Sequence, residues 1–149
     1  APTAPVAVQR RLGFVQRLQE LGVDQVQEES GDFSYLSGHA AMLRLLERHT
    51  TLDAVVCAND DMALGAMDAA RFSAGKRIPQ DLSVIGFDDI ASAERAPYQL
   101  TTIRQPVAAM ARQAVTLLEE RIAAPAQPPV VTLFPGTLVV RGSARVDSV

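Results

Sequence analysis

Cysteine and histidine are scarce in this sequence, which holds one cysteine and two histidines in 149 residues. The single cysteine, Cys57, excludes an internal disulfide. Its apolar neighbours favour a small core residue over a nucleophile. His39 and His49 fall at the ends of a predicted helix, where they face solvent, and no Cys/His cluster has the spacing of metal ligands. The sequence therefore predicts no metal site.

Long apolar runs and phosphate-binding loops are also missing. No stretch approaches the ~18 apolar residues that span a bilayer, and neither GxGxxG nor GxxxxGK(S/T) occurs. Residues 1–5 lack the basic and apolar regions of a signal peptide. The formal net charge of −3 gives no electrostatic reason to expect nucleic-acid binding. Without a nucleophile–base pair or a metal cage, we expect no catalytic residue and no cofactor.

Helix-like and strand-like segments alternate in what is otherwise an ordinary globular composition, 48% hydrophobic and 21% charged. This alternation predicts an α/β fold, a mostly parallel sheet with flanking helices. A loop is predicted at 31–37. The predicted helices are 6–21, 38–48, 61–73 and 106–124; the predicted strands are 23–28, 53–58, 82–87, 130–134 and 137–141, with a brief extended segment at 101–104.

Polar residues follow the predicted buried strands, where parallel sheets bind their ligands. Asn59 follows one strand, Asp88 follows the next, and Gln105 follows the extended segment at 101–104. Carboxylates, amides and a guanidinium can form hydrogen bonds with the hydroxyl groups of a polyol, and an aromatic ring can cover its apolar C–H face. The pair at 60–61 is typical of a helix cap, with acid–base or divalent-ion chemistry as the alternative. Asp89 is expected to cap the segment that follows it.

Two longer motifs, IPQDLSVIGFDD at 78–89 and LTTIRQP at 100–106, resemble the C-terminal region of LacI/GalR-type transcriptional repressors. Four shorter segments agree in order and spacing: RRLGF at 10–14, GDFS at 31–34 with SG at 37–38, ANDDMALG at 58–65 and LVVRGS at 138–143. Each segment alone is weak, but together they cover nearly the whole chain.

The resemblance implies a periplasmic-binding-protein-like (type I) effector-binding domain with a ligand between two lobes. Residues 1–104 would form most of the C-terminal lobe, 105–135 an excursion belonging to the N-terminal lobe, and 136–149 the return strand and tail. Ala1 and Pro2 would form the turn before the first helix. The family's DNA-binding headpiece lies upstream and is absent from this chain. The implied protein is a cytoplasmic homodimer that senses a sugar, polyol or nucleoside, touches operator DNA only through its headpiece and uses no membrane.

Carried over by position, the resemblance implies effector contacts at Arg10, Phe33, Asn59, Asp88 and Gln105. A plain structural role remains open for each: a surface ion pair for Arg10, core packing for Phe33, and helix or turn caps for the other three.

A dimer interface is expected along the predicted helix 61–73 and the segment 91–98. That helix is apolar nearly all round, so a partner subunit could cover the side away from the sheet. Leu64 is expected on that free side with Asp68 and Arg71.

Two other functions share this type of fold. A transport-type or periplasmic sugar-binding protein is one, and an enzyme on a flavodoxin-like sheet is the other. The motifs at 78–89 and 100–106 favour the repressors over the transport proteins, and the enzyme lacks a catalytic constellation.

Overall fold

A computed structural model describes residues 5–49 and 51–146; the predicted turn at Ala1 and Pro2 and residues 147–149 of the predicted tail lie outside them. The described helices are α1 (Pro5–Glu20), α2 (Tyr35–Arg48), α3 (Asp60–Asp68), which continues as a π-helical turn (Ala69–Ser73), and α4 (Val107–Ala123). The described strands are β1 (Ala54–Val56), β2 (Ser83–Ile85), β3 (Thr102–Arg104) and β4 (Thr137–Val139). The predicted alternation of helices and strands is confirmed.

The described strands form two pairs, β1–β2 and β3–β4, which isolated bridges join in the order β1–β2–β3–β4. Strand β1 pairs in parallel with β2, and β3 pairs antiparallel with β4. Isolated parallel bridges, Ile85 to Thr101 and Asp88 to Arg104, join the two pairs. Only β4 runs against the others, so the sheet is mostly parallel, as predicted. The ends of β2 and β3 consequently open at the same edge.

Helix α3 forms the centre of the core, packed against α2 and β2. Met42 of α2, Met67 of α3 and Leu82 before β2 are almost completely buried. Gly65 permits the close approach of α2, because a Cβ at this position would collide with the carbonyl oxygen of Tyr35. The helix boundary also differs from the prediction. Helix α2 begins at Tyr35 because the Ser34 hydroxyl caps it, accepting the backbone N–H of Ser37 at 3.1 Å.

Leu64 belongs to this core rather than to a free helix face. Its side chain is only 5% exposed in the single chain, within the same apolar cluster as Met67 and Val84. The expectation that Leu64 lies on an uncovered side is therefore wrong. Helix α3 is covered on more sides by its own chain than its sequence alone indicates.

Two predicted strands are not formed. Residues 23–28 have no regular secondary structure and no ladder partner among the described residues. Ion pairs from Arg11 to Glu28 and from Arg44 and Arg48 to Glu29 connect this region to helices instead. Residues 130–134 also lie outside any strand, and Leu133 is 88% exposed. Apolar alternation predicts a strand only where a neighbouring strand can take its hydrogen bonds.

Helix α4 contrasts with the core, since none of its residues is buried. Its apolar side chains Val115, Leu118 and Ile122 are each more than half exposed. Their spacing places them on one helical face. None of the described helices combines the length and the apolar character that crossing a membrane requires.

Ser143, in the segment after β4, forms hydrogen bonds to β2 and to the residue before β3. This side chain is fully buried, and its hydroxyl donates to the carbonyl of Val84 at 2.6 Å and accepts the N–H of Thr101 at 2.8 Å. The N–H of Val84 donates in turn to the Ser143 carbonyl at 2.8 Å. Ser143 thus links β2 to the start of β3.

Candidate functional site

Arg10 reaches from α1 to the ends of the central strands. One guanidinium nitrogen donates to the carbonyl of Ala58 at 2.7 Å, and the other donates to Asp88 Oδ1 at 3.1 Å. The guanidinium carbon lies 3.8 Å from the centre of the Phe87 ring, a cation–π arrangement. The side chain is only 18% exposed, so its pairing with Asp88 is no loose surface contact. Arg10 therefore reaches the strand ends, and its direct contact with a ligand stays a prediction.

Asp88 is the point at which the predicted residues converge. Its Oδ1 accepts from Arg10 and also from Gln105 Nε2 at 2.7 Å. Within the described part of the chain, no protein donor reaches Oδ2. The side chain keeps 29% of its surface exposed. A carboxylate held on one oxygen and open on the other can accept hydrogen bonds from a hydroxylated ligand.

Phe33 and Asn59 form a second pair beside α2 and α3. The Asn59 side chain accepts the N–H of Met62 at 3.0 Å, which caps α3, and its amide donates to the Phe33 carbonyl at 2.9 Å. Phe33 has φ of 69°, a left-handed conformation that is unusual for an aromatic residue. The predicted alternative of a helix cap for Asn59 is thus present, and its amide also fixes the loop that carries Phe33. Direct ligand contact by either residue stays a prediction.

Asp60 is the residue whose importance the sequence did not reveal. The sequence predicts a helix cap at 60–61, yet the Asp60 side chain is fully buried, while Asp61 is exposed. Its carboxylate accepts the Thr102 hydroxyl at 2.6 Å and the N–H of Ile90 at 2.9 Å. Gly86 leaves room for it, because a Cβ there would collide with Asp60 Oδ1.

Burial raises the pKa of Asp60 above its ordinary value, and the nearby charge of Asp88 acts in the same direction. The hydrogen bonds from Thr102 and Ile90 oppose this shift. A buried carboxylate thus lies beneath the turn that presents Asp88. Its one sequence signal was an aspartate two positions after the predicted strand at 53–58.

Asp89 does not cap the following segment, contrary to the expectation. Its carboxylate accepts Arg104 Nε at 2.5 Å and an Arg141 guanidinium nitrogen at 2.7 Å. Burial alone would raise the pKa of Asp89, but the hydrogen bonds and charges of Arg141 and Arg104 lower it below its ordinary value. Adjacent aspartates therefore face different surroundings, Asp88 toward α1 and Gln105, and Asp89 toward two arginines.

A large cleft of about 1180 Å³ adjoins this cluster, between α1, α2 and the sheet. Arg10, Phe33 and Phe87 line it, together with apolar side chains such as Phe14 and Ile85. Asn59, Asp88 and Gln105 are not among its lining residues. The polar cluster thus borders the cleft, and most of the cleft surface is apolar.

Other kinds of chemistry find little support in the described residues. Burial raises the pKa of the Cys57 thiol to about 12, so the sulfur stays protonated at neutral pH, as a core residue would. Within residues 5–49 and 51–146, no group of three His, Cys, Asp or Glu side chains could hold a metal ion.

A model of the periplasmic binding protein-like domain matches residues 1–144. The HTH-type transcriptional regulator CelR of Thermobifida fusca is 39% identical over 138 residues, which cover 91% of this chain and 40% of that protein. The chain thus spans well under half the length of the curated relatives that it matches.

Solved structures give the same result. The structure of a CelR–cellobiose complex matches with a TM-score of 0.85 and 38% identity, covering 92% of this chain and 42% of that one. A LacI-type transcription regulator from Bifidobacterium animalis subsp. lactis matches with a TM-score of 0.84 and 32% identity, covering 97% and 53%. These relatives are transcriptional regulators, which favours that function over the transport-type alternative.

Proposed function

Because the chain belongs to the periplasmic binding protein-like domain family, we propose that it is the sugar-sensing region of a LacI-type transcriptional regulator. The ligand is a sugar or a related polyol or nucleoside, and the region catalyses no reaction. The cellobiose held by one structural relative makes a disaccharide the first candidate.

One observation carries this proposal: Arg10 and Gln105, from separate elements, both donate to Oδ1 of Asp88. The side chain keeps 29% of its surface exposed, and the turn that carries it follows β2, at the edge of the sheet where ligands of such folds bind. A charged acceptor fixed in this way can bind two neighbouring hydroxyl groups of a sugar ring. Phe33 would cover an apolar face of that ring, and Asn59 would keep the Phe33 loop in place.

The test is isothermal titration of the full-length protein with cellobiose, maltose and a set of nucleosides. Hydrogen bonds to a charged group contribute roughly 1.5–3 kcal/mol each. The Asp88→Ala variant should therefore bind the ligand on the order of a hundredfold more weakly. Thermal melting should show that the variant still folds.

Asp81→Ala is the matched control for Asp88→Ala. Asp81 is also an aspartate paired with an arginine, Arg77 at 2.6 Å, but it lies on the turn before β2 rather than at its end. This control should bind the ligand like the wild type. If Asp88→Ala keeps wild-type affinity for a ligand that the wild type binds, the pocket lies elsewhere and the proposal fails.

Regulation of DNA binding would follow from the ligand. We propose that the effector favours one arrangement of two lobes and that this arrangement changes how a DNA-binding headpiece sits on its operator. The chain's own charge and motifs offer no DNA contact, so operator binding would require a headpiece outside it. Such a regulator acts in the cytoplasm. A gel shift in which residues 1–149 alone bind one DNA sequence selectively would contradict this assignment.

The residues 105–135 are proposed to belong to the N-terminal lobe, with 1–104 and 136–149 in the C-terminal lobe. The exposed apolar face of α4 supports this division, because such a face requires a covering surface.

A homodimer is proposed through the surface around Asp68, Arg71 and the segment 91–98. Asp68 accepts the hydroxyls of Tyr35 at 2.7 Å and Tyr98 at 2.9 Å. Arg71 donates to the carbonyl of Pro97 at 2.6 Å. These bonds hold the segment beside the π-helical turn, whose Phe72 is 82% exposed. Phe72 thus replaces Leu64 as the apolar side chain offered to a partner.

Sedimentation of the full-length Phe72→Glu variant tests this surface. A buried charge without a partner opposes association, so the variant should sediment as a monomer. Leu21→Glu, at an exposed leucine beyond the end of α1, should remain a dimer. Equal association of both variants would place the interface elsewhere.

A further inference from the structure

The turn that presents Asp88 has an unfavourable backbone. Asp88 has φ of 124° and Asp89 has φ of 58°, so two successive residues with side chains adopt left-handed conformations. Such conformations persist in folded proteins only where surrounding contacts impose them. The contacts that hold this turn are therefore part of what orients Asp88.

Asp89 makes two of these contacts through its carboxylate. Its side chain is only 6% exposed and lies between the guanidinium groups of Arg104 and Arg141. Arg141 is itself 12% exposed and also donates to the carbonyl of Leu100 at 2.8 Å. Arg104 is 58% exposed, so solvent is largely excluded only from the pair with Arg141. Hydrogen bonds between charged groups in such surroundings are stronger than those at the surface.

The two aspartates contact two successive residues at the end of the neighbouring strand β3. Asp88 accepts from Gln105, and Asp89 accepts from Arg104. The N–H of Asp88 also donates to the carbonyl of Ile103 at 2.9 Å. Asp88 and Asp89 are therefore both bound to the end of β3. Arg141 also connects Asp89 to the segment after β4.

We propose that Asp89, held by Arg104 and Arg141, is a positioning residue for ligand binding. It imposes the backbone conformation that directs the Asp88 carboxylate toward Arg10 and Gln105. Asp89 itself does not touch the ligand. This inference rests on the proposed function, in which Asp88 binds the ligand.

The first test needs no ligand. In full-length protein labelled with [¹⁵N]glutamine, the side-chain amide signal of Gln105, assigned with a Gln105→Met variant, reports its bond to Asp88. The Asp89→Asn variant loses the charge that pairs with two arginines. It should shift the Gln105 signal, because the turn no longer holds Asp88 in place.

Asp81→Asn is the matched control. Asp81 is also an aspartate paired with an arginine, Arg77 at 2.6 Å, and its side chain is 29% exposed. It lies on the turn before β2, at the opposite end of that strand from Asp88, and it is not among the residues that line the cleft. Asp81→Asn should leave the Gln105 signal unchanged. An unchanged signal in Asp89→Asn, or the same shift in both variants, would overturn the proposal.

The second test is titration of the same variants with cellobiose. In metal sites, loss of a group that orients a ligating side chain weakens affinity by about tenfold or more. By the same logic Asp89→Asn should weaken cellobiose binding about tenfold, and Asp81→Asn should not. The double variant Asp88→Asn/Asp89→Asn should bind no more weakly than Asp88→Asn alone, because Asp89 acts through Asp88.

The outcomes separate this inference from the proposed function. If Asp88→Asn weakens binding and Asp89→Asn does not, Asp88 is a ligand contact and Asp89 does not position it. Additive losses in the double variant would likewise contradict a positioning role. If the wild type binds cellobiose and both single variants bind it with the same affinity, the proposed function itself fails.

Discussion

Helices α3 and α4 are both rich in alanine and aliphatic residues, yet the structure treats them in opposite ways. Seven of the nine residues of α3 are buried, and none of the seventeen residues of α4 is. Helix α3 lies between α2 and the sheet, whereas α4 displays an apolar face with Leu118 and Ile122 more than half exposed. The spacing of apolar residues thus predicts which face of a helix packs against other parts of a protein. It does not predict which parts those are.

The largest expected effect comes from one substitution made in both helices. Met67 of α3 is 0% exposed and Met110 of α4 is 39% exposed. Met67→Ala should lower the free energy of unfolding by about 2–5 kcal/mol, because it removes buried apolar surface and leaves a cavity. Met110→Ala should change it by no more than about 0.5 kcal/mol. Urea denaturation of this chain measures both; equal losses would mean that α4 is as well packed as α3.

A smaller effect should depend on pH. Burial raises the pKa of Asp60, the first residue of α3. A carboxyl group with a raised pKa stabilises the fold in its protonated form. That contribution is fully present below the unfolded value and is lost as the pH rises through the folded value.

The Asp60→Asn variant lacks this titration. The free energy of unfolding of the wild type, relative to the variant, should therefore fall as the pH rises from about 4 toward 7. The pKa of Asp89 is lowered, so its contribution to the free energy of unfolding is lost at acid pH. Both proteins contain Asp89, so this contribution cancels in the difference between them. A difference that is flat with pH would contradict the raised pKa of Asp60.

The smallest effect is expected at Leu118, which is 60% exposed on α4. Leu118→Ser should change the stability of residues 1–149 by no more than about 0.5 kcal/mol, because a solvated side chain loses little. The same substitution in a protein with both lobes should lower the melting temperature clearly, since the proposed second lobe would cover this face. An equally small change in both proteins would show that nothing packs on α4.

Much of the fold follows from sequence patterns. Capping residues and helical spacing located all four helices within a few positions, and the short apolar runs located β1 and β2. The predicted strands at 23–28 and 130–134 were wrong because a strand depends on a partner elsewhere in the chain. Leu64 was misplaced for a related reason, since helical spacing does not reveal how many neighbours surround a helix.

The candidate site divides in the same way. The convergence of Arg10 and Gln105 on Asp88 agrees with the family resemblance and with the rule that ligands bind at strand ends. The buried position of Asp60 and the two arginines around Asp89 were not predicted. Both depend on which strand ends lie side by side, and a single sequence does not encode that in any local pattern.

Ser143 has a consequence for the order in which the molecule can fold. Its bonds to Val84 and Thr101 join residues that are 59 and 42 positions apart. Contacts this distant along the chain form late and slow the search for the native state. During synthesis, a growing chain that has not yet reached Ser143 can form the direct bridges between β2 and β3 but lacks the bonds that Ser143 adds to Val84 and Thr101. This region of the sheet should therefore be among the last parts of the protein to become fully ordered.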